Sequence, residues 1–107
     1  MSRFVSLCGV FGFILTLMSA NPAYAGGDAA AGKKKALQCQ TCHGMDGLSK
    51  LPEAPNLAGQ VEIYLVKALG DYKSGARKND MMSVVAPALK DDDIADLAAF
   101  FTALPPQ

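Results

Sequence analysis

Two cysteines and a histidine stand close together in the segment Cys39-Gln40-Thr41-Cys42-His43. Two thiols three positions apart can each add to one vinyl group of a haem, and the imidazole that follows can then coordinate the iron. The spacing C-x-x-C-H is a signature of covalent haem attachment. We therefore expect Cys39 and Cys42 to form thioethers with one haem c and His43 to be an axial ligand of its iron.

Two other kinds of site use the same residue types. A structural zinc site takes four Cys or His ligands, but beyond residue 25 the chain has Cys39, Cys42 and His43 and no further Cys or His. A redox-active dithiol of the thioredoxin type accompanies a βαβ unit, and no segment shows the period-two alternation of a strand. Haem attachment is therefore the preferred interpretation.

The first 25 residues have the pattern of a secretory signal. Arg3 supplies a positive start, residues 4–18 are apolar apart from Ser6 and Thr16, and Ala23-Tyr24-Ala25 is a small-x-small cleavage box. The apolar run is shorter than the roughly 20 residues that a membrane-spanning helix needs. The sequence predicts cleavage after Ala25, export to the periplasm, and one domain over residues 26–107 with no membrane span. An uncleaved anchor is the alternative.

Composition limits the classes of partner and of fold. Ten Lys and Arg balance ten Asp and Glu in the full chain, so no excess of positive charge indicates a nucleic-acid partner. A domain confined to residues 26–107 and without a disulfide framework buries little apolar surface for each residue that it orders. A covalently attached haem, which is apolar over most of its area, would complete such a core.

Three segments show the patterns of helices. Asp28 is a candidate N-cap for a helix that extends to about Gln38. In the second segment, between Gln60 and Tyr72, apolar residues recur at the spacing of one buried helix face: Val61, Tyr64, Leu65, Ala68, Leu69 and Tyr72. The third segment begins at the acidic residues Asp91 to Asp93, carries an apolar stripe and stops at Pro105. Residues 44–59 are rich in glycine and proline and are predicted to form a loop. The sequence therefore predicts an all-α domain with three main helices.

A second axial ligand must come from elsewhere in the chain. The thioether candidates beyond residue 25 are Met45, Met81 and Met82. Met45 lies two residues beyond His43 and cannot reach the opposite face of a haem by a plausible chain path. Met81 and Met82 lie far along the sequence, from where the backbone can return to that face. Spacing alone does not choose between them, and either one could instead fill the core.

Several uncommon segments occur in an order that resembles the class I cytochromes c, in the short bacterial periplasmic form that also builds each half of the dihaem periplasmic cytochromes c. These segments are Gly26-Gly27-Asp28 with Gly32, Cys39 to Gly44, Asp46-Gly47, Pro55 to Gln60, Tyr64 to Lys67, Lys73 to Asn79, and Asp93 to Phe101. They cover essentially all of residues 26–107. The resemblance implies a small cytochrome c fold whose main helices wrap around one covalent haem.

The resemblance also implies which methionine binds the iron. In such proteins the axial methionine lies seven residues before a leucine that precedes the acidic start of the last helix. Leu89 is that leucine here, and Met82 lies seven residues before it. The resemblance therefore implies Met82 as the axial ligand, with Met81 as the alternative.

Further roles follow from the same resemblance. The carbonyl of Pro55, or alternatively that of Pro52, is expected to accept a hydrogen bond from the second ring nitrogen of His43. Leu57 is expected to pack on the haem, and Gly32 to let the first and last helices cross closely. Four side chains are candidate partners of the haem propionates: Tyr64, Tyr72, Arg77 and Asn79.

These expectations favour an electron carrier over an enzyme. With His43 and Met82 both on the iron, no substrate reaches the metal, and the expected function is transfer of single electrons between redox partner proteins in the periplasm, in a bacterial respiratory chain. One alternative is a haem subunit dedicated to a larger oxidoreductase. Another is a haem with an open sixth site that binds a small gas ligand.

The Lys33-Lys34-Lys35 run could steer an acidic partner or simply be a solvated face. We expect the protein to be a monomer or a partner-bound subunit.

Overall fold

The computed structural model describes residues 26–107 and contains no strand in that range. The predicted secretory signal and its cleavage box lie outside these residues. The helices are α1 (Ala29–Lys35), α2 (Gln40–His43), α3 (Glu62–Ser74), α4 (Met82–Val85) and α5 (Asp91–Thr102), with 3₁₀ turns at Ala36–Cys39 and Ala86–Ala88. The predicted all-α class is confirmed, and α1, α3 and α5 are the three main helices.

Local sequence signals explain how the helices begin and end. Asp28 caps α1, because its carboxylate accepts hydrogen bonds from the backbone N–H groups of Ala30 and Ala31, at 2.9 and 3.4 Å. At the start of α5, the backbone N–H of Lys90 donates to the Asp93 carboxylate at 2.9 Å. The first helix does not run evenly to Gln38 as the sequence indicated, since it tightens into a 3₁₀ turn after Lys35.

The first and last main helices cross in close contact at Gly32. A Cβ atom on this residue would lie 2.0 Å from the carbonyl oxygen of Asp96 and 2.8 Å from Cβ of Phe100. The expected close crossing of these helices is therefore present, and it requires glycine at this position.

Three polar contacts add to the crossing of α1 and α5. The Lys35 ammonium lies 2.7 Å from Asp93 and 2.6 Å from Asp96. Asp96 also accepts a hydrogen bond from the backbone N–H of Asp28 at 2.8 Å. The Lys35 side chain holds the pKa of both carboxyl groups below the usual range, and these carboxylates in turn raise the pKa of Lys35.

The hydrophobic core lies between the three main helices. Helix α5 contributes most of it, including Leu97, which is 1% exposed, and Phe100 and Phe101, whose rings meet edge to face at 5.0 Å. The other buried members of the cluster are Ala36, Leu65, Leu89, Ile94 and Ala98.

Burial along α3 differs from the sequence pattern. Leu65 is buried, and three other residues of the predicted apolar face, Ala68, Leu69 and Tyr72, are half-buried. Val61 and Tyr64, which the pattern placed on the same buried face, are 60% and 45% exposed. Helical periodicity identifies an apolar stripe, but the neighbouring elements decide how much of it the polypeptide covers. None of the helices in residues 26–107 is long and apolar enough to cross a membrane.

Candidate haem site

The two cysteines and the histidine lie on one continuous right-handed helical segment. Cys39 ends the first 3₁₀ turn, and Cys42 and His43 belong to α2. Residues three apart on a helix are neighbours on its surface, so this backbone brings the two thiols to the same side. Both cysteines are half-buried and free of a disulfide.

The chemistry of Cys39 does not match a redox dithiol. Burial, and to a smaller degree the neighbouring Cys42, raises the pKa of the Cys39 thiol to about 11. Reactive dithiols need the opposite shift, because the thiolate is the nucleophile in disulfide exchange. Residues 26–107 contain no group of three or more His, Cys, Asp or Glu side chains placed to hold a metal ion.

His43 is buried, with 8% of its surface exposed, and it is held by one hydrogen bond. Its Nδ1 lies 2.9 Å from the carbonyl oxygen of Pro55. A carbonyl can only accept, so Nδ1 carries a proton, and in the neutral imidazole Nε2 then keeps its lone pair. The hydrogen bond therefore favours the tautomer that a metal-binding imidazole requires. The acceptor is the carbonyl of Pro55 rather than that of Pro52.

The loop over residues 44–59 places Pro55 beside the histidine. Gly44 ends α2 with a φ of 74°, in the left-handed region that favours glycine. The backbone N–H of Lys50 donates to the carbonyl of Cys42 at 2.8 Å, which ties the loop back to the motif. The carbonyl of Gly47 accepts from the N–H groups of Leu57 and Ala58, at 2.8 and 3.0 Å. Leu57 is half-buried and packs against the core.

The three candidate methionines occupy different environments. Met45 packs against the hydrophobic core. Met81 is 62% exposed, whereas Met82 is half-buried at the start of α4.

Tyr64 and Tyr72, two of the candidate propionate partners, both contact Arg77, which is a third candidate. Arg77 donates through a guanidinium N–H to the Tyr64 hydroxyl at 3.2 Å, and its Cζ lies 4.9 Å from the centre of the Tyr72 ring. The side-chain oxygen of Asn79 accepts hydrogen bonds from the backbone N–H groups of Met81 and Met82. The hydroxyl of Ser83, which no sequence pattern indicated, accepts a hydrogen bond from the backbone N–H of Asn79 at 3.0 Å. The signal at Asn79 is its residue type, because an Asn side chain often accepts from the backbone N–H two residues further on, in an Asx turn.

The residues present fit one covalent haem c. Two thiols lie on one helical segment, and the imidazole that follows them is buried, fixed at Nδ1 and free to coordinate through Nε2. This donor set matches two thioethers and one axial nitrogen. Cys39, Cys42 and His43 are the residues that would hold the group.

Comparison with known proteins gives consistent matches. The family model for cytochrome c matches residues 29–105. Cytochrome c4 of Pseudomonas aeruginosa is 49% identical over 88 residues, which are 82% of this chain and 44% of that protein. Cytochrome c-554(548) of Halomonas halodenitrificans is 44% identical over 79 residues, which are 71% of this chain and 95% of that protein.

A solved structure gives the same result. The crystal structure of reduced recombinant cytochrome c4 from Pseudomonas stutzeri matches with a TM-score of 0.69 at 42% identity, covering 73% of this chain and 46% of that one. The chain thus spans about half the length of the cytochrome c4 relatives. The helical fold, the haem-attachment motif and the match over residues 29–105 show that this chain belongs to the cytochrome c family.

Proposed function

We propose that this protein is a periplasmic carrier of single electrons, with one haem c attached through Cys39 and Cys42 and coordinated by His43 and Met82. The observation that carries the proposal is the buried His43, which follows the two thiols and is fixed by its 2.9 Å hydrogen bond to Pro55. When bound, haem c supplies a one-electron iron couple whose potential depends on the axial ligands and the surroundings.

His43 is proposed as the first axial ligand. Its Nδ1–H donates to the Pro55 carbonyl, and such a partner fixes the ring orientation and raises the basicity of the coordinating nitrogen. The Pro55 carbonyl is in turn held by a loop that is hydrogen-bonded to Cys42. The cysteines and the histidine are therefore supported by the same short stretch of chain.

Met82 is proposed as the second axial ligand. Met82 is half-buried at the start of α4, which contacts α3, whereas Met81 is 62% exposed. Met45 is already part of the core packing. Burial thus supports the assignment to Met82 that the resemblance implies.

An electron carrier suits this ligand set better than a catalyst. With protein ligands on both sides of the iron, electrons move without a substrate binding to the metal. Encounters between such carriers and their partners are small and short-lived. In the Lys33-Lys34-Lys35 run, Lys35 pairs with Asp93 and Asp96, whereas Lys33 and Lys34 are exposed. Within residues 26–107 the run therefore offers an acidic partner two lysines without an ion pair rather than three.

Optical spectroscopy of the purified exported protein tests this proposal. We expect the ferric form to show the weak long-wavelength charge-transfer band of haem iron bonded to a thioether, and the ferrous form not to bind carbon monoxide. Ready binding of carbon monoxide together with absence of the band would instead support a gas-binding haem with an open sixth site. Purification of the native protein in a stable complex with a catalytic chain would support a dedicated subunit.

Export is a separate part of the proposal. We expect removal of residues 1–25, so that the secreted protein begins at Gly26. Mass spectrometry of the exported protein tests this, since the expected mass is that of residues 26–107 plus one haem. A mass that retains residues 1–25 would favour an uncleaved anchor.

A further inference from the structure

Asn79 and Ser83 form a reciprocal set of hydrogen bonds across the turn that leads into α4, which we call the Asn79–Ser83 cap. The Asn79 side-chain oxygen accepts from the backbone N–H groups of Met81 and Met82, both at 3.0 Å. The backbone N–H of Asn79 donates to the Ser83 hydroxyl at 3.0 Å, and its carbonyl accepts from the backbone N–H of Ser83 at 2.9 Å. Four hydrogen bonds therefore join Asn79 to the three residues centred on Met82.

The rest of the polypeptide covers little of this segment. Residues 74–81 are all exposed, and α4 has only four residues, none of them buried. A helix of that length is not stable by itself, because nucleation of the first turn is unfavourable. The backbone at Met82 is consequently fixed by two sets of local hydrogen bonds. One is the cap, and the other consists of the bonds that the Met81 and Met82 carbonyls accept from the N–H groups of the next turn.

Arg77 attaches the other end of the same segment to α3. Its backbone N–H donates to the carbonyl of Asp71 at 3.1 Å, and its guanidinium reaches the Tyr64 hydroxyl at 3.2 Å and lies over Tyr72. The segment from Arg77 to Asn79 thus connects α3 at one end to the Met82 backbone at the other.

We propose that Asn79, together with Ser83, is a positioning residue that fixes the Met81–Met82 register and keeps the Met82 thioether at the iron. This inference rests on the proposed ligation by Met82. The Asn79 side-chain oxygen accepts from the backbone N–H groups of both Met81 and Met82, so the backbone conformation of the two methionines is fixed while the cap is intact. In that conformation the Met82 side chain is half-buried and the Met81 side chain is exposed. Loss of the cap releases both amides and lets Met82 leave the iron more often.

The rate at which imidazole binds to the ferric holoprotein tests the proposal, because imidazole enters when the iron–methionine bond opens. The variants are Asn79→Ala, Asn79→Asp and Ser83→Ala. We expect Asn79→Ala to bind imidazole about tenfold faster, since two backbone hydrogen bonds of ordinary net strength are lost. Asn79→Asp keeps an acceptor oxygen and is expected to stay close to wild type. Ser83→Ala should show a smaller increase.

A matched control separates positioning from general destabilisation. The side-chain oxygen of Asn56 accepts from the backbone N–H of Ser49 at 2.7 Å, in the loop over residues 44–59 and away from Met81 and Met82 in sequence. Asn56→Ala is expected to lower the melting temperature without accelerating imidazole binding. Amide hydrogen exchange adds a second measurement, and we expect faster exchange at Met81 and Met82 in Asn79→Ala but not in Asn56→Ala.

The outcomes distinguish this proposal from the proposed function. A wild-type protein without the iron–thioether band overturns ligation by Met82, and the positioning role with it. A wild-type protein that has the band, together with an Asn79→Ala variant whose imidazole rate and amide exchange are unchanged, overturns the positioning role alone. If Asn79→Ala yields no holoprotein, an unchanged rate in Ser83→Ala has the same meaning.

Discussion

The carbonyl oxygen of Asp96 lies where a side chain on Gly32 would begin, since a Cβ atom there would be 2.0 Å away. This contact sets the separation of α1 and α5. Helix α1 continues directly into the 3₁₀ turn and α2, which carry Cys39, Cys42 and His43. The position of the haem-attachment residues relative to the core therefore depends on this helix crossing.

Replacing Gly32 by alanine should destabilise the holoprotein. The methyl group would overlap the backbone of α5, and overpacking of this kind costs roughly 1–3 kcal/mol or more of the free energy of unfolding. Denaturant unfolding of the haem-loaded protein measures the effect.

Gly70 provides the matched control for this substitution. It lies within α3, and a Cβ atom there would meet nothing within 4 Å. Gly70→Ala is therefore expected to stabilise the protein by about 0.5–1 kcal/mol, through the better helix propensity of alanine. Equal stability of the two variants would contradict the close crossing at Gly32.

Local signals in the sequence were sufficient for several features. The C-x-x-C-H spacing indicated the haem-attachment residues, Asp28 indicated the start of α1, and the glycines and prolines after His43 indicated the loop. Each of these depends on residues that are close together in the chain. The partner of His43 is twelve residues away, and the resemblance to a known family, rather than any pattern in the chain, suggested Pro55.

Features that depend on contacts between distant elements were harder to predict from the sequence. Val61 and Tyr64 share the apolar spacing of α3, yet both are exposed, because burial depends on which neighbouring element covers each turn. Lys35 looked like one of three equivalent lysines, and only the crossing with α5 pairs it with Asp93 and Asp96.

Acid should remove the contribution of the Lys35 ion pairs to stability. Lys35, followed by a backbone N–H, lowers the pKa of the Asp93 and Asp96 carboxyls in the folded protein. Carboxyl groups whose pKa is lower in the folded than in the unfolded state stabilise the fold above their unfolded pKa of about 4, and this stabilisation is lost as the pH falls through the folded pKa.

Comparing Lys35→Met with Lys33→Met tests this pH dependence. We expect Lys35→Met to be less stable than wild type at neutral pH, with a difference that shrinks as the pH falls below about 4. Lys33 lies on the same helix and makes no ion pair within residues 26–107, so Lys33→Met should differ little from wild type at either pH. A Lys35→Met deficit that is independent of pH would indicate lost packing of the lysine stem instead.

Each motif cysteine should be necessary for covalent haem. We expect Cys39→Ala and Cys42→Ala to yield no protein with two thioether links and to lose most of the folded holoprotein, because the haem completes a small core. Haem staining of denatured protein and mass spectrometry measure attachment. Cys8→Ala is the control, since Cys8 lies in the predicted signal and should leave attachment unchanged. Stable, haem-loaded protein in the absence of both motif cysteines would contradict the proposed attachment.

The two adjacent methionines should respond differently to substitution. Met82→Ala is expected to keep its covalent haem, lose the iron–thioether band and bind carbon monoxide in the ferrous form. Its reduction potential should fall by a sizeable part of the roughly 0.8 V range over which axial ligands tune haem iron. Met81→Ala is the matched variant, and because Met81 is 62% exposed we expect it to retain the band and the potential of the wild type. The reverse result, with the band lost in Met81→Ala and kept in Met82→Ala, would assign the axial position to Met81 and would mean that the half-buried Met82 serves packing alone.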